Sequence, residues 1–130
     1  MGKEPIIIVG GEPNSIFLEI FFKSLKSNTY KSPLIIIISK KLLQEQMRKL
    51  DFNFKINNIN KELKDFSKLN NSKINVINVD YDFDKCFDKI TSKSNKYIDE
   101  TFKTALNFIN QNDLSKFING PVSKKSFLKG

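Results

Sequence analysis

The strongest constraint on the fold is a pair of apolar runs, Ile6–Val9 and Leu34–Ile38, in which no polar residue interrupts the sequence. A strand with one face in water alternates apolar and polar residues, whereas an unbroken run of β-branched residues suits a strand covered on both faces. Each run is followed by a turn and then by apolar residues at helical spacing. Two successive βα units predict an α/β fold built on a layered, parallel sheet.

Helical spacing predicts three amphipathic helices and the residues that they bury. For the first helix, residues 16–25, the apolar stripe is Ile16, Phe17, Ile20, Phe21, Phe22 and Leu25. For the second helix, the proposed cap is Ser39, and the apolar register is Leu43, Met47 and Leu50. For the third helix, residues 95–110, the proposed cap is Ser94, and the core face is Ile98, Phe102, Ala105, Leu106 and Ile109.

The middle of the chain has a weaker pattern. Apolar residues alternate at positions 52, 54 and 56, which predicts a short strand, and residues 57–60 are typical of a turn. Residues 61–69 carry only a weak helical pattern, and residues 74–79 supply a further strand. The alternating acids of residues 80–84 resemble the start of a calcium loop, but the glycine and the closing glutamate of that motif are missing. A solvent-facing loop is therefore expected there.

Composition excludes several function classes. The net charge is +8, but Arg48 is the only arginine and the lysines are scattered, so a nucleic-acid partner is not expected. The chain has no histidine, which excludes imidazole acid–base chemistry and imidazole metal sites. The single cysteine, Cys86, allows no intramolecular disulfide, and no apolar run is long enough to cross a membrane. A soluble, cytoplasmic protein is expected.

Two polar loops follow predicted strands and are the candidate ligand sites. The first contains Gly11, Glu12, Pro13 and Asn14, and the second contains Gly120, Pro121, Ser123 and Lys124. Loops at the carboxyl ends of parallel strands lie beside helix starts. Their backbone amides and positively charged side chains are suited to bind anions. The alternative for each loop is an ordinary polar connection between a strand and a helix.

The pairing of Gly-Glu-Pro after the first strand with Gly-Pro-Val-x-Lys about a hundred residues later resembles the 4-hydroxythreonine-4-phosphate dehydrogenase family. The helix before the second loop is similar as well. The resemblance covers residues 1–130 as the family's N-terminal portion only, since family members continue further. It implies a fold like that of isocitrate and isopropylmalate dehydrogenases, expected here to be incomplete, with residues 1–130 as a single α/β unit of a longer dehydrogenase.

The resemblance also implies an activity. Family members oxidise and decarboxylate 4-phosphooxy-L-threonine with NAD or NADP, in pyridoxal phosphate biosynthesis. Their divalent metal is held by histidines across a homodimer, and a His-Thr pair also holds the substrate. None of those positions is present up to Gly130, so no catalytic or metal-binding residue is assigned here, no cofactor is expected to bind residues 1–130 alone, and these residues are expected to be inactive.

This chain departs from the family pattern at several loop positions. Ser15 and Phe17 stand where the family loop has glycines, Leu18 stands where it has proline, and Ser123 stands where it often has His or Asn. Conformations that only glycine reaches are therefore costlier in the first loop. The alternative function is a non-catalytic, truncated α/β domain that serves binding or assembly.

Overall fold

The computed structural model describes residues 4–10, 16–27, 30–81 and 92–119, and for residues 92–95 it describes the backbone alone. The strands are β1 (Ile6–Val9), β2 (Leu34–Ile38), β3 (Ile56–Asn58), β4 (Ile74–Asn78) and β5 (Phe117–Asn119). The helices are α1 (Phe17–Ser27), α2 (Lys40–Lys49) and α3 (Ser92–Asn112). None of the helices in these ranges combines the length and the apolar character that crossing a membrane requires.

The five strands form one sheet in the order β3-β4-β2-β1-β5, and every neighbouring pair is parallel. All residues of the central strand β2 are buried, while all residues of the edge strand β5 are exposed. The predicted α/β class with a parallel sheet is confirmed, and so are both apolar runs as strands.

Helices cover both faces of this sheet. Ile8 and Ile118, which are register partners on β1 and β5, line a groove together with residues of α1. Successive side chains of a strand point to opposite faces, and the neighbouring Phe117 packs its ring 6.3 Å from that of Phe102 on α3. Helices α1 and α2 contact each other, whereas α3 packs over β1 and β2 from the opposite face.

The predicted core was wrong at three positions. Ile16 and Ile20 are 66% and 55% exposed, because α1 turns Leu18, Phe21 and Phe22 toward the sheet instead. These three residues follow the i, i+3, i+4 spacing of one helical face. On α3, Leu106 is 53% exposed, and the buried residues include Ile98, Ala105 and Phe108 as well as Tyr97 and Thr101. Ser94 lies inside α3, so its assignment as the helix cap was also wrong.

The middle of the chain differs from the prediction in register. The rings of Phe52 and Phe54 lie 5.3 Å and 6.0 Å from that of Phe22 on α1. These aromatic contacts hold residues 52–54 outside the sheet, and β3 begins only at Ile56. Asn57 and Asn58, predicted as part of a turn, belong to that strand, and residues 61–69 contain turns rather than a helix.

Two aspartates adopt the left-handed conformation at the ends of helices. Asp51 has φ 60° and follows α2, and Asp113 has φ 51° and follows α3. The next residue in each case donates its amide hydrogen to a carbonyl of the last turn: Phe52 to Met47 at 2.9 Å, and Leu114 to Ile109 at 3.0 Å. This is the Schellman arrangement, in which glycine is the usual residue.

Asparagine side chains fix the amino edge of the sheet. The buried Asn75 of β4 donates to the carbonyl of Leu34 at 2.9 Å and to that of Asn70 at 3.0 Å. Its amide oxygen accepts from the side chain of Asn57 on β3 at 3.0 Å. Asn71 accepts from the amide of Leu34 at 2.9 Å. Because these hydrogen bonds satisfy the side-chain amide of Asn75, its burial does not leave a polar group without a partner.

Candidate functional site

The two predicted ligand loops leave the sheet from neighbouring strands. Strands β1 and β5 are adjacent and parallel, and Val9 is the register partner of Asn119. Parallel strands end at the same edge, so the loop after Gly10 and the loop after Asn119 start side by side at the carboxyl edge. The predicted site residues themselves lie outside the described residues: Gly11, Glu12, Pro13, Asn14, Gly120, Pro121, Ser123 and Lys124.

The start of the first loop is packed tightly against β2. Gly10 is buried, and its amide donates to the carbonyl of Ile37 at 3.4 Å. A side-chain carbon placed on Gly10 would lie 2.9 Å from Cδ1 of Ile38 and 3.3 Å from its Cγ1. Glycine is therefore the residue that fits between the ends of β1 and β2 without displacing Ile38.

A buried tyrosine fixes the carboxyl end of β2. Ser39 caps α2, because its hydroxyl accepts from the amide of Leu42 at 3.1 Å, as the sequence predicted. Its own amide donates to the hydroxyl oxygen of Tyr97 at 2.8 Å. Burial raises the pKa of Tyr97, so the hydroxyl stays protonated and acts as a hydrogen-bond partner rather than as a base.

The end of β4 is tied to α2 through Asn78. The amide of Lys40 donates to Oδ1 of Asn78 at 2.8 Å, and Nδ2 of Asn78 donates to Oδ1 of Asp80 at 3.0 Å. Asp80 is exposed, in agreement with the predicted solvent-facing loop, while residues 82–84 lie outside the described part of the chain. The contacts of Asn78 and Tyr97 were not predicted from the sequence. The one available signal was the position of Asn78 at the end of an apolar strand.

The described side chains at this edge include the hydrogen-bonded Ser39, Asn78 and Asp80. Within the described ranges, no three acidic, cysteine or histidine side chains come together as ligands for a metal ion. The whole chain lacks histidine. The carboxyl edge of an open parallel sheet, with a helix starting there, is a favourable place for an anionic ligand.

The family model of the pyridoxal phosphate biosynthetic protein PdxA matches residues 29–130, which is more than half of the chain. The chain belongs to the PdxA family. The predicted family resemblance is thereby confirmed. The PdxA match contains Gly120, Pro121, Ser123 and Lys124 but begins after Gly11–Asn14.

Solved structures show the same fold at low sequence identity. A 4-hydroxythreonine-4-phosphate dehydrogenase from Burkholderia phymatum matches with a TM-score of 0.79 at 18% identity, covering 96% of this chain and 38% of that one. The Klebsiella pneumoniae dehydrogenase matches with a TM-score of 0.80 at 15% identity, covering 97% and 39%. A putative dehydrogenase from Salmonella typhimurium matches with a TM-score of 0.81 at 19% identity, covering 97% and 40%.

The chain thus spans about two-fifths of the length of the dehydrogenases that it matches. No curated protein matches it in sequence. The structural matches include the end of β1, which the family model does not reach, so the paired β1 and β5 lie within the shared fold.

Proposed function

We propose that this chain is the N-terminal α/β unit of an NAD-dependent dehydrogenase that oxidises and decarboxylates 4-phosphooxy-L-threonine in pyridoxal phosphate biosynthesis. Membership of the PdxA family supports the reaction class. The observation that carries the proposal is the parallel pairing of β1 with β5, because it brings the stems of both candidate loops to one edge of the sheet.

In this proposal the two loops hold the phosphate end of the substrate. The Lys124 ammonium and the Ser123 hydroxyl supply a charge-assisted and a neutral hydrogen bond to the phosphate. Backbone amides around Gly11 and Gly120 supply further donors, and Pro13 and Pro121 stiffen the two turns. This chain's contribution is therefore to bind and orient the substrate.

The remaining components of the reaction are proposed for the complete enzyme, a homodimer that uses NAD or NADP and a divalent metal. The residues present here do not fit the metal, since the chain has no histidine and the described acids form no ligand cluster. A metal would supply Lewis-acid polarisation of the substrate oxygen, but no step is assigned through it in this chain. We propose a soluble, cytoplasmic enzyme without a nucleic-acid or membrane partner.

The binding proposal is tested by titrating 4-phosphooxy-L-threonine into the 130-residue protein and measuring the heat of binding. Replacement of Lys124 by Ala removes the proposed cation and is expected to weaken binding at least tenfold, about 1.4 kcal/mol. The matched control is Lys103→Ala, since Lys103 lies on α3 in an ion pair with Asp99 at 2.9 Å. Equal affinities of both variants and the wild type would contradict the proposal.

A duplex DNA titration of the same proteins tests the charge of +8 separately. Dispersed lysines predict weak, sequence-independent binding that is lost at moderate salt, and Lys124→Ala should leave it unchanged. Sub-micromolar, sequence-selective binding that persists at moderate salt would instead favour a nucleic-acid module.

Turnover is tested by following nicotinamide reduction with the substrate and a divalent metal. We expect none from residues 1–130 alone. Turnover that survives repurification would show that this unit already contains a complete active site.

The second candidate is a non-catalytic α/β binding or assembly domain. Its support is the lack of histidine, which leaves residues 1–130 without imidazole for acid–base or metal chemistry. Reading the coding sequence after codon 130 separates the candidates. A continuation with Gly-His-Thr and further histidines supports the enzyme, and an immediate stop codon supports the binding domain.

A further inference from the structure

We infer that helix α1 packs antiparallel against α1 of a second copy of this chain, around a two-fold axis. The inference goes beyond the proposed function, which names no surface between copies, and it needs neither a ligand nor catalysis. It rests on the apolar and the charged side chains that α1 presents to solvent.

The solvent side of α1 carries an apolar stripe. Ile16, directly before the helix, is 66% exposed, and Ile20, one turn later, is 55% exposed. The groove beside this stripe contains Phe17, Ser24 and Ile118, and none of the residues that line it is charged. Exposed apolar surface of this kind is typical of a site where another protein surface packs.

Two opposite charges lie along the other flank of the stripe. Helical periodicity places Glu19 and Lys23 together on that flank, away from Phe17 and Ser24, which border the groove. Glu19 is half-buried and Lys23 is exposed. Neither has an ion-pair partner among the described residues. Both charges are therefore available to a second copy.

The order of these charges selects the antiparallel arrangement. A two-fold axis that lies in the interface, perpendicular to the helix, turns each flank toward the same flank of the second copy and reverses the chain direction. With the axis level with Phe21, Glu19 of each copy comes opposite Lys23 of the other. The two Ile20 side chains then meet beside the axis. A parallel pairing would instead place the charged flank against the uncharged groove.

Charge and area together indicate a specific but weak dimer. The two reciprocal pairs bring no net charge into the interface, which suits association of a chain with a net charge of +8. One helix from each copy buries less than the roughly 1,200 Å² of a standard interface, and exposed ion pairs add little. We expect a dissociation constant on the order of 10–100 µM.

Sedimentation equilibrium of the 130-residue protein, from about 5 to 500 µM, measures this association. Ile20→Asp places two carboxylates beside the two-fold axis and should weaken association at least about tenfold. Leu106→Asp is the matched control, since Leu106 is 53% exposed on α3, which covers the opposite face of the sheet. We expect it to leave association at the wild-type value.

A charge exchange tests the pairing itself. Glu19→Lys and Lys23→Glu each turn both attractive contacts into repulsive ones and should weaken self-association about tenfold. An equimolar mixture of the two variants should associate like the wild type, because each mixed dimer again combines opposite charges at both contacts. Glu62→Lys and Lys61→Glu, at exposed positions after β3, change the net charge equally and should leave association unchanged.

Three results would overturn the inference. A wild type that stays monomeric at the highest concentration would leave this face to a different partner. Equal losses in Ile20→Asp and Leu106→Asp would contradict the location on α1. A mixture that associates no better than either charge variant alone would contradict the antiparallel pairing. Circular dichroism checks that each variant is folded, and if Ile20→Asp does not fold, the charge exchange decides.

Discussion

Strands β2 and β5 are both parallel neighbours of β1, yet the same kind of residue has opposite surroundings in them. Ile36 of β2 is 1% exposed, with a strand on either side and helices on both faces. Ile118 of β5 is 50% exposed at the edge of the sheet. It lines a groove of about 190 Å³ with Ile20, Phe17 and Tyr30.

This difference shows that apolar character alone does not decide burial in this chain. A strand is buried on all sides only if two strands and two helical layers surround it, and β5 has only β1 beside it within the described sheet. The stability of the fold should therefore depend on β2 and its anchors more than on β5.

The largest expected effect comes from placing a carboxylate on each strand. Ile36→Asp buries an unpaired charge, which costs several kcal/mol and approaches the whole stability of a small domain. Ile118→Asp can hydrate its carboxylate at the edge, and we expect a loss of about 1 kcal/mol. Urea unfolding followed by circular dichroism measures the loss of stability in both variants. Ile7→Asp, at a fully buried position of β1, should behave like Ile36→Asp.

Equal losses for Ile36→Asp and Ile118→Asp would break the distinction between centre and edge. Cooperative unfolding of soluble Ile36→Asp and Ile7→Asp variants would show that these strands are not central to the fold.

The second test removes the amino-edge anchor of β2. Asn75→Ala leaves the carbonyl of Leu34 without the side-chain donor that the structure gives it at 2.9 Å. It also removes the acceptor for Asn57. We expect a loss of about 2–3 kcal/mol in denaturant unfolding, since buried polar groups lose their partners. Asn107→Ala, at an exposed position of α3, is the control and should change stability by less than about 0.5 kcal/mol. Similar losses for Asn75→Ala and Asn107→Ala would contradict the stabilising role of Asn75.

The third test removes the carboxyl-edge anchor of β2. Tyr97→Phe leaves the amide of Ser39 without its 2.8 Å acceptor and should cost about 1–3 kcal/mol. Burial raises the pKa of Tyr97 above its usual value. The folded state therefore resists ionisation, and the stability from this group is present below about pH 10 and lost as the pH rises further.

The wild type and Tyr97→Phe are compared at each pH, so that the alkaline loss common to both proteins cancels in the difference. The difference in unfolding free energy between wild type and Tyr97→Phe should shrink as the pH increases above about 10. A difference that is constant with pH would mean that burial of the hydroxyl does not govern its ionisation.

The smallest effects are expected at the helix ends that lead into the edge strands β3 and β5. Asp51→Gly and Asp113→Gly remove the strain of a side chain at φ 60° and φ 51° and should each stabilise the protein by about 0.5–1 kcal/mol. Asp113→Ala keeps a side-chain carbon at the strained position and should bring no gain. Thermal unfolding of the three variants measures the change, and destabilisation by both glycines would contradict the caps described above.

Much of this fold could be predicted because local signals were strong. The unbroken runs in β1 and β2 and the cap at Ser39 each depend on a few adjacent residues. The exposure of Ile16 and Ile20 could not be predicted, because six apolar positions on α1 offered more than one possible buried face. The start of β3 depended on distant rings, those of Phe52 and Phe54 against Phe22.

The candidate site was predictable only in outline. Both loops stay predictions from their Gly-Glu-Pro and Gly-Pro sequences. The adjacency of β1 and β5 depends on the order of the strands, to which the spacing in sequence is no guide. The roles of Tyr97 and Asn78 are likewise contacts across 58 and 38 residues. Such contacts leave no local pattern.

The most direct test of the central claim, that one ligand is held where β1 and β5 end, is amide chemical-shift mapping during a 4-phosphooxy-L-threonine titration. We predict that Gly10 and Asn119, together with the loop amides that follow each of them, shift along a common binding curve. Asn57 and Asn58 on the far edge strand β3 should not shift. Shifts confined to one loop, shifts centred on β3, or an unchanged spectrum at saturating ligand would contradict the account.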